Sequence, residues 1–167
     1  MTEPALLELL HGRGAHADPR ACAEDLPAEI AGNQLPNFPY SIYQQLAHMN
    51  YWMDYELRRI RGQRPKYPDH AAESWPNEPT PAGEAQWRET LNRFSNLIEQ
   101  YTKLAKSPPD ELSRQIEPAH EADVQNTSTL SAILWQMAAH NSYHTGQIVL
   151  MRRVQGAWPP KGGGDTW

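Results

Sequence analysis

The chain is poor in several things, and each shortage closes off a class of protein. It holds one cysteine, Cys22, in 167 residues, so no disulfide can form within it, and the lone thiol reads as a small buried hydrophobe rather than a nucleophile. It has no run near the roughly 18 apolar residues that a membrane-spanning helix needs. The opening MTEPALLELLHGRG carries two acids and no basic region ahead of its apolar stretch, which is unlike a secretory leader. A soluble, cytoplasmic protein is the expectation. Basic charge is scarce too: 15 Lys and Arg stand against 20 Asp and Glu, for a net charge of -5. The basic residues do not gather. Arg58, Arg59 and Arg61, then Lys103 and Lys106, then Arg152 and Arg153 fall where helices should end, and there they complement the helix dipole. That distribution argues against a nucleic-acid surface, which needs a basic face.

What is present is helical pattern. Mean hydropathy is low, at -0.75, yet there are six tryptophans and seven tyrosines, so burial comes in large pieces. The length suits one domain over residues 1–167. TEPALLELLHG reads as a short helix stopped by Gly12 and Gly14, and DPRACAEDLPAEI as a restart with Asp18 as N-cap and Pro19 in the first turn. A second helix is expected over about 40–61, a third over about 80–106 after Thr80 and Pro81, and a fourth over about 127–155, each with an apolar stripe of helical period. No strand competes with them. Four amphipathic helices of this length make an all-α four-helix bundle. The proline-rich segment after the second helix and the polar one after the third exceed the usual turn between antiparallel helices, so both read as crossovers or flaps. The tail, residues 157–167, is rich in glycine and proline and is expected to be loosely ordered.

The fourth stripe is broken in an informative place. After Leu130, Leu134 and Met137 it calls for apolar residues and meets His140 and His144. Residues four apart on a helix share one face with Cβ atoms roughly 5–6 Å apart, which suits two imidazoles on one metal ion. The spacing equally fits two core histidines bonded to backbone carbonyls or to Tyr143 and Asn141. Asn141 follows the first histidine, so the helical glutamate of H-E-x-x-H metalloproteases is missing. His48, mid-helix in SIYQQLAHMNYW, is the best third ligand; His11, His16, His70 and His120 lie in or near loops. Gly146, costly inside a helix, fits close packing, close approach of a ligand or a tolerated accident, and Gln147 has a bonding role or faces a neighbouring helix.

SIYQQLAHMNYW followed some ninety residues later by HNSYHTGQIVLMRR, with GAHAD near the start and GAW after the last helix, resembles the DinB-like superfamily, which includes YfiT-like proteins. The resemblance implies a four-helix bundle with long crossover connections and a divalent-metal site of three histidines, here His48, His140 and His144. It implies zinc or nickel, and either a metal-dependent hydrolase or a transferase or isomerase that uses a low-molecular-weight thiol on a small-molecule substrate. A metal-binding or stress-associated bundle without catalysis is the alternative. Glu56, His120 and Glu121 are candidates for a general base, and Trp52 and Tyr143 for walls of a pocket. A homodimer is expected, from the resemblance and from apolar residues such as Leu97, Leu104 and Ile133 beside the stripes.

Overall fold

The computed structural model describes residues 3–118 and 128–164. Three long helices carry the chain: α3 (Ile42–Ile60), α4 (Glu84–Ala105) and α6 (Leu130–Val154). With the shorter α1 (Glu3–Leu10) they enclose one core, α3 packing on α4 and α6, and α1 touching α4 and α6 from the other side. The remaining pieces are α2 (Ala28–Gly32), a 3-10 turn over Ala71–Ser74, α5 (Pro109–Leu112), and an antiparallel pair of two-residue strands, β1 (Gln115–Ile116) and β2 (Ser128–Thr129), with Gln115 opposite Thr129. The described residues are mostly helical, and among them no helix is long and apolar enough to cross a membrane.

The core follows from helical spacing. Ile42, Leu46, Met49, Met53 and Ile60 on α3 meet Trp87, Phe94, Ile98 and Tyr101 on α4 and Leu130, Leu134, Met137, Ile148 and Met151 on α6, all buried in one cluster. The polar atoms brought in with the large rings are satisfied. Tyr101 donates its hydroxyl to the Met53 carbonyl at 2.9 Å, and Trp87 donates its indole N–H to the Leu26 carbonyl at 2.7 Å. Each ring therefore fills volume and ties two segments together. Leu97 and Ile133, read from the sequence as surplus for a dimer, are 3% and 1% exposed, and Leu104 packs against the same core.

Three boundaries differ from the pattern-based expectation. Asp18 does cap a turn, its Oδ1 accepting from the backbone N–H of Arg20 at 2.8 Å and Ala21 at 3.3 Å, but no continuous helix follows. Asp25 takes a left-handed φ of 58°, and Pro27 steers the residue before it away from helical geometry, so α2 begins only at Ala28. Thr80 does not open α4 either. It donates its hydroxyl to the Gly32 carbonyl at 3.1 Å, and it sits so close that a Cβ on Gly32 would lie 2.7 Å from its methyl group. The start of α4 passes to Gly83 and Glu84, and the Glu84 carboxylate accepts from the Ala28 N–H at 2.7 Å. At α6 the cap is Thr129, whose hydroxyl accepts from the Ala132 N–H at 3.2 Å.

Arg152 fastens the end of α6 to the N-terminal segment. It is 2% exposed, and its guanidinium donates to the carbonyls of Ala157, Cys22 and Glu24 and to the Asp25 carboxylate at 2.8, 2.9, 3.1 and 2.9 Å. It is a fully paired buried cation and not merely a partner for the helix dipole. Asp25 also accepts from the Lys161 N–H at 2.6 Å, and Trp158 lies under the guanidinium at 5.8 Å. Residues 157–164, whose composition suggested little order, thus carry specific contacts. Cys22 is wholly buried, and desolvation pushes its thiol up to about 12, which agrees with a packing role.

Candidate metal centre

Three histidines from two helices meet at the interface of α3 and α6. His48 occupies the second turn of α3, a helix whose start is fixed by a capping box: the Ser41 hydroxyl accepts from the Gln44 N–H at 3.1 Å and the Gln44 carboxamide accepts from the Ser41 N–H at 3.0 Å. His140 and His144 lie one turn apart in the middle of α6. Candidate ligand atoms of the three rings all fall within 4.8 Å of one another. His48 and His144 are 7% and 5% exposed, and His140 is half-buried.

The hydrogen bonds decide which nitrogens point inward. Nδ1 of His48 lies 3.3 Å from the Ser74 carbonyl and 3.0 Å from the Ser74 hydroxyl. A carbonyl only accepts, so Nδ1 carries the proton and Nε2 presents a lone pair. Nδ1 of His144 faces the carboxamide oxygens of Gln45 and of Gln147, the latter at 2.9 Å, which again leaves Nε2 as the bare nitrogen. The two Nε2 atoms of His48 and His140 are 3.3 Å apart, close enough for one proton between them. Nδ1 of His140 is buried with no partner among the described residues, so moving the His140 proton from Nε2 to Nδ1 sacrifices no bond seen there. A cation replacing the shared proton would find three candidate ligand nitrogens within 4.8 Å of one another. The residues therefore fit a divalent ion.

Their electrostatics fit as well. Burial lowers the pKa of His48 to about 3, assisted by charge on His144 and His140 and opposed by the bond from Ser74. Burial likewise lowers His144 to about 4, with charge on His140 adding and the Gln147 bond opposing, and it lowers His140 against an opposing contribution from the neighbouring Asn141 side chain, which is not within hydrogen-bond range of Nδ1. All three rings are neutral at pH 7, the state a metal requires.

The linker after α3 completes the surroundings. Gln44 donates to the Pro76 carbonyl at 2.8 Å and the Ser41 hydroxyl bonds the Pro79 carbonyl, which pins the segment over the first turns of α3. Trp75 then stacks on His48 with centroids 3.8 Å apart, and its ring also stacks on Tyr40 at 3.6 Å. Gln45, Ser74 and Trp75 were not singled out from the sequence. For Gln45 a signal existed, since it lies one turn before His48 on the same face; Ser74 and Trp75 depend on how a long linker folds back.

Other expected participants are distributed differently. Trp52 meets His48 edge-on at 6.4 Å and Tyr143 meets His144 edge-on at 5.0 Å, so both flank the cluster. Glu56 is paired with Arg59, its two oxygens accepting at 3.0 and 2.8 Å, and stands eight residues, about 12 Å, along α3 from His48. It serves the ion pair rather than the cluster. His120 and Glu121 lie outside the described residues. His11 bonds Thr102 at 3.1 Å and His16 bonds the Ala17 carbonyl at 2.9 Å, both remote in sequence from α3 and α6. A cavity of about 420 Å³ lies beside the cluster between α3, α4 and the linker; Tyr43, Asn50, Glu73, Ser74, Trp75 and Arg93 are among its walls, and none of the three histidines is.

A helical fold with three converging histidines, two with bonded Nδ1 atoms and one with an unpaired one, defines a candidate metal-binding protein. A model of the DinB family matches residues 1–163, and the chain belongs to that family. No curated protein matches it. The crystal structure of a conserved protein from Enterococcus faecalis is similar in fold, with a TM-score of 0.59 over 91% of this chain and 94% of that one at 16% identity; an identity that low carries the fold alone.

Proposed function

We propose that this DinB-family chain holds one divalent ion, zinc or nickel, through Nε2 of His48, His140 and His144, and uses it in an enzymatic reaction on a small molecule. The observation that carries the reading is the convergence of three neutral imidazoles, two buried and one half-buried, whose outward nitrogens are bonded or orphaned and which have no carboxylate partner among the described residues. Three histidine ligands leave a coordination position open, the pattern of catalytic rather than closed structural sites. An ion so held would supply Lewis acidity, activating either water, for hydrolysis, or a low-molecular-weight thiol, for transfer or isomerisation. The chain's own residues set the stage for it. Gln45, Gln147 and Ser74 hold the ring tautomers and orientations, as hydrogen-bonded partners of metal-bound histidines do, and the Trp75 ring covers one face of His48. A cytoplasmic setting is part of the same proposal.

A second reading is favoured by the placement of the cavity, which adjoins the cluster through Ser74 and Trp75 but is not lined by the histidines. In that reading the chain binds metal without catalysis. Protein purified without added metal, assayed for bound ions and then screened for hydrolysis and for transfer with several thiols, separates the two. Turnover that disappears with chelator and returns with zinc or nickel supports the enzyme; a stoichiometric ion with no turnover on any substrate class supports the metal-binding protein.

A further inference from the structure

The outer face of α6 is unlike that of a solvated helix. On α4, of similar length, the exposed positions include Glu84, Arg88, Glu89, Arg93, Glu99 and Lys103, the charged outer face expected of a surface helix. On α6 no Asp, Glu, Lys or Arg occurs from residue 130 to 151. Its exposed residues are Ala132, Gln136, Ala139, Tyr143, Gly146, Leu150, Arg153 and Val154, the first seven separated by steps of four and three alternately. That is a heptad seam about 32 Å long at 1.5 Å per residue. Tyr143 and Leu150 are 65% and 53% exposed, and Val154 at the end of the seam is 58% exposed.

The seam also alternates in size. Small residues (Ala132, Ala139, Gly146) interleave with large ones (Gln136, Tyr143, Leu150). When two helices with a heptad seam run antiparallel, each layer sets one of the two alternating positions against the other, so here Gln136, Tyr143 and Leu150 would each face a small residue, with Arg153 at the outer end of the seam. Run parallel, large would face large and small would leave gaps. Gly146 sharpens the point. A Cβ at that position would meet nothing within 4 Å among the described residues, so none of them requires glycine in mid-helix, where it costs stability. A chain of net charge -5 repels its own copies except where a face lacks acids, and this face lacks them.

We infer that α6 pairs with α6 of a second copy of this chain, antiparallel across a twofold axis, with large residues of each seam seated on the small residues of the other. The pairing names the interface for the expected homodimer, which the buried Leu97 and Ile133 cannot supply, and it does not depend on the metal. Because His140 and Gln147 are the residues next to Ala139 and Gly146, the paired helix lies alongside the exposed edge of the histidine cluster.

Sedimentation equilibrium of the full chain at micromolar concentration tests this, with Leu150→Glu and Gly146→Leu as variants and Arg88→Glu, on the outer face of α4, as control. Wild type and the control should sediment at twice the 19.0 kDa chain mass. Leu150→Glu places an unpaired charge in the interface twice, once per copy, and should weaken association on the order of a hundredfold or more. Gly146→Leu, tolerated in an isolated chain, should do the same by filling the notch. Circular dichroism should show the helical content of both variants unchanged. A monomeric wild type overturns the inference, whether or not the chain then binds lipid vesicles through this face. A dimer that survives both substitutions overturns the interface while leaving a homodimer through another surface.

Discussion

The α6 helix carries two buried polar centres, and they are built on opposite plans. At its end, Arg152 places its guanidinium among three carbonyls and the Asp25 carboxylate, so the buried charge is neutralised and hydrogen-bonded. In its middle, His140 and His144 join His48 in a cluster with, among the described residues, no acid bonded to it, no partner for one ring nitrogen, and two Nε2 atoms facing each other at 3.3 Å. A satisfied buried charge holds elements in place. A set of convergent lone pairs that the protein does not satisfy from its own atoms is a place for something else to bind.

The comparison breaks most readily at the arginine. Arg152→Ala would leave Asp25 Oδ1 and three carbonyls without their donor, and removing one partner of a buried pair typically costs about 3–5 kcal/mol. Urea denaturation should show a loss of that size, the same with and without chelator. If the loss instead depended on chelator, the two centres would not be independent.

At the histidines the expected effects are smaller and linked to metal. Gln45→Leu removes an acceptor from Nδ1 of His144 and should reduce zinc affinity by about 10–100-fold, measured by competition with a chromogenic chelator, while the metal-free melting temperature moves little. Unchanged affinity would mean that the carboxamide only packs.

The two centres also separate by pH. In the metal-free protein, His48 and His144 stay neutral down to about 3 and about 4, whereas unfolded histidine takes up its proton near 6.5. Between those values the unfolded state binds more protons, so stability falls as pH drops below about 6.5, by up to about 1.4 kcal/mol per pH unit for each such ring. Asp25 is lowered by the bonds from Lys161 and Arg152, which outweigh its desolvation. Its contribution is fully present above the ordinary carboxylate range and is lost only as pH falls through its lowered value. Chelated protein denatured at a series of pH values should therefore lose stability first in the histidine window, and a flat profile from pH 7 to 5 would contradict the buried, neutral rings. The smallest effect belongs to Ser74→Ala, which leaves the Ser74 carbonyl on His48 Nδ1 and removes only the hydroxyl: about 1 kcal/mol or less, read in the same denaturation experiment.

How far this was legible in the sequence differs along the chain. The helices α3, α4 and α6 repeat their apolar residues often enough for the period to show, and the histidines stand out because they interrupt it. The segment 18–27 misled because Asp18 and Pro19 are true helix-start residues, and their signal ends one turn later at Asp25 and Pro27. Two-residue strands such as Gln115–Ile116 have no period to detect. Ser74 and Trp75 reach His48 only because backbone carbonyls of the linker are bonded by Ser41 and Gln44, a tertiary event with no local signature. The sequence also held the uncharged outer face of α6, but an uncharged stretch does not reveal which side is exposed until the core is known.

Metal binding at the cluster depends on His140, the half-buried ring whose Nδ1 has no partner among the described residues and whose removal disturbs packing least. Isothermal titration of metal-free wild type and His140→Ala with Zn²⁺ at pH 7.5, and again at pH 5.5, tests it most directly. Wild type should bind one ion per chain, more weakly at the lower pH, and the variant should lose affinity on the order of a hundredfold or more, which is at least the loss expected for an indirect partner. Binding that is absent in wild type, or equally tight in His140→Ala, would contradict it.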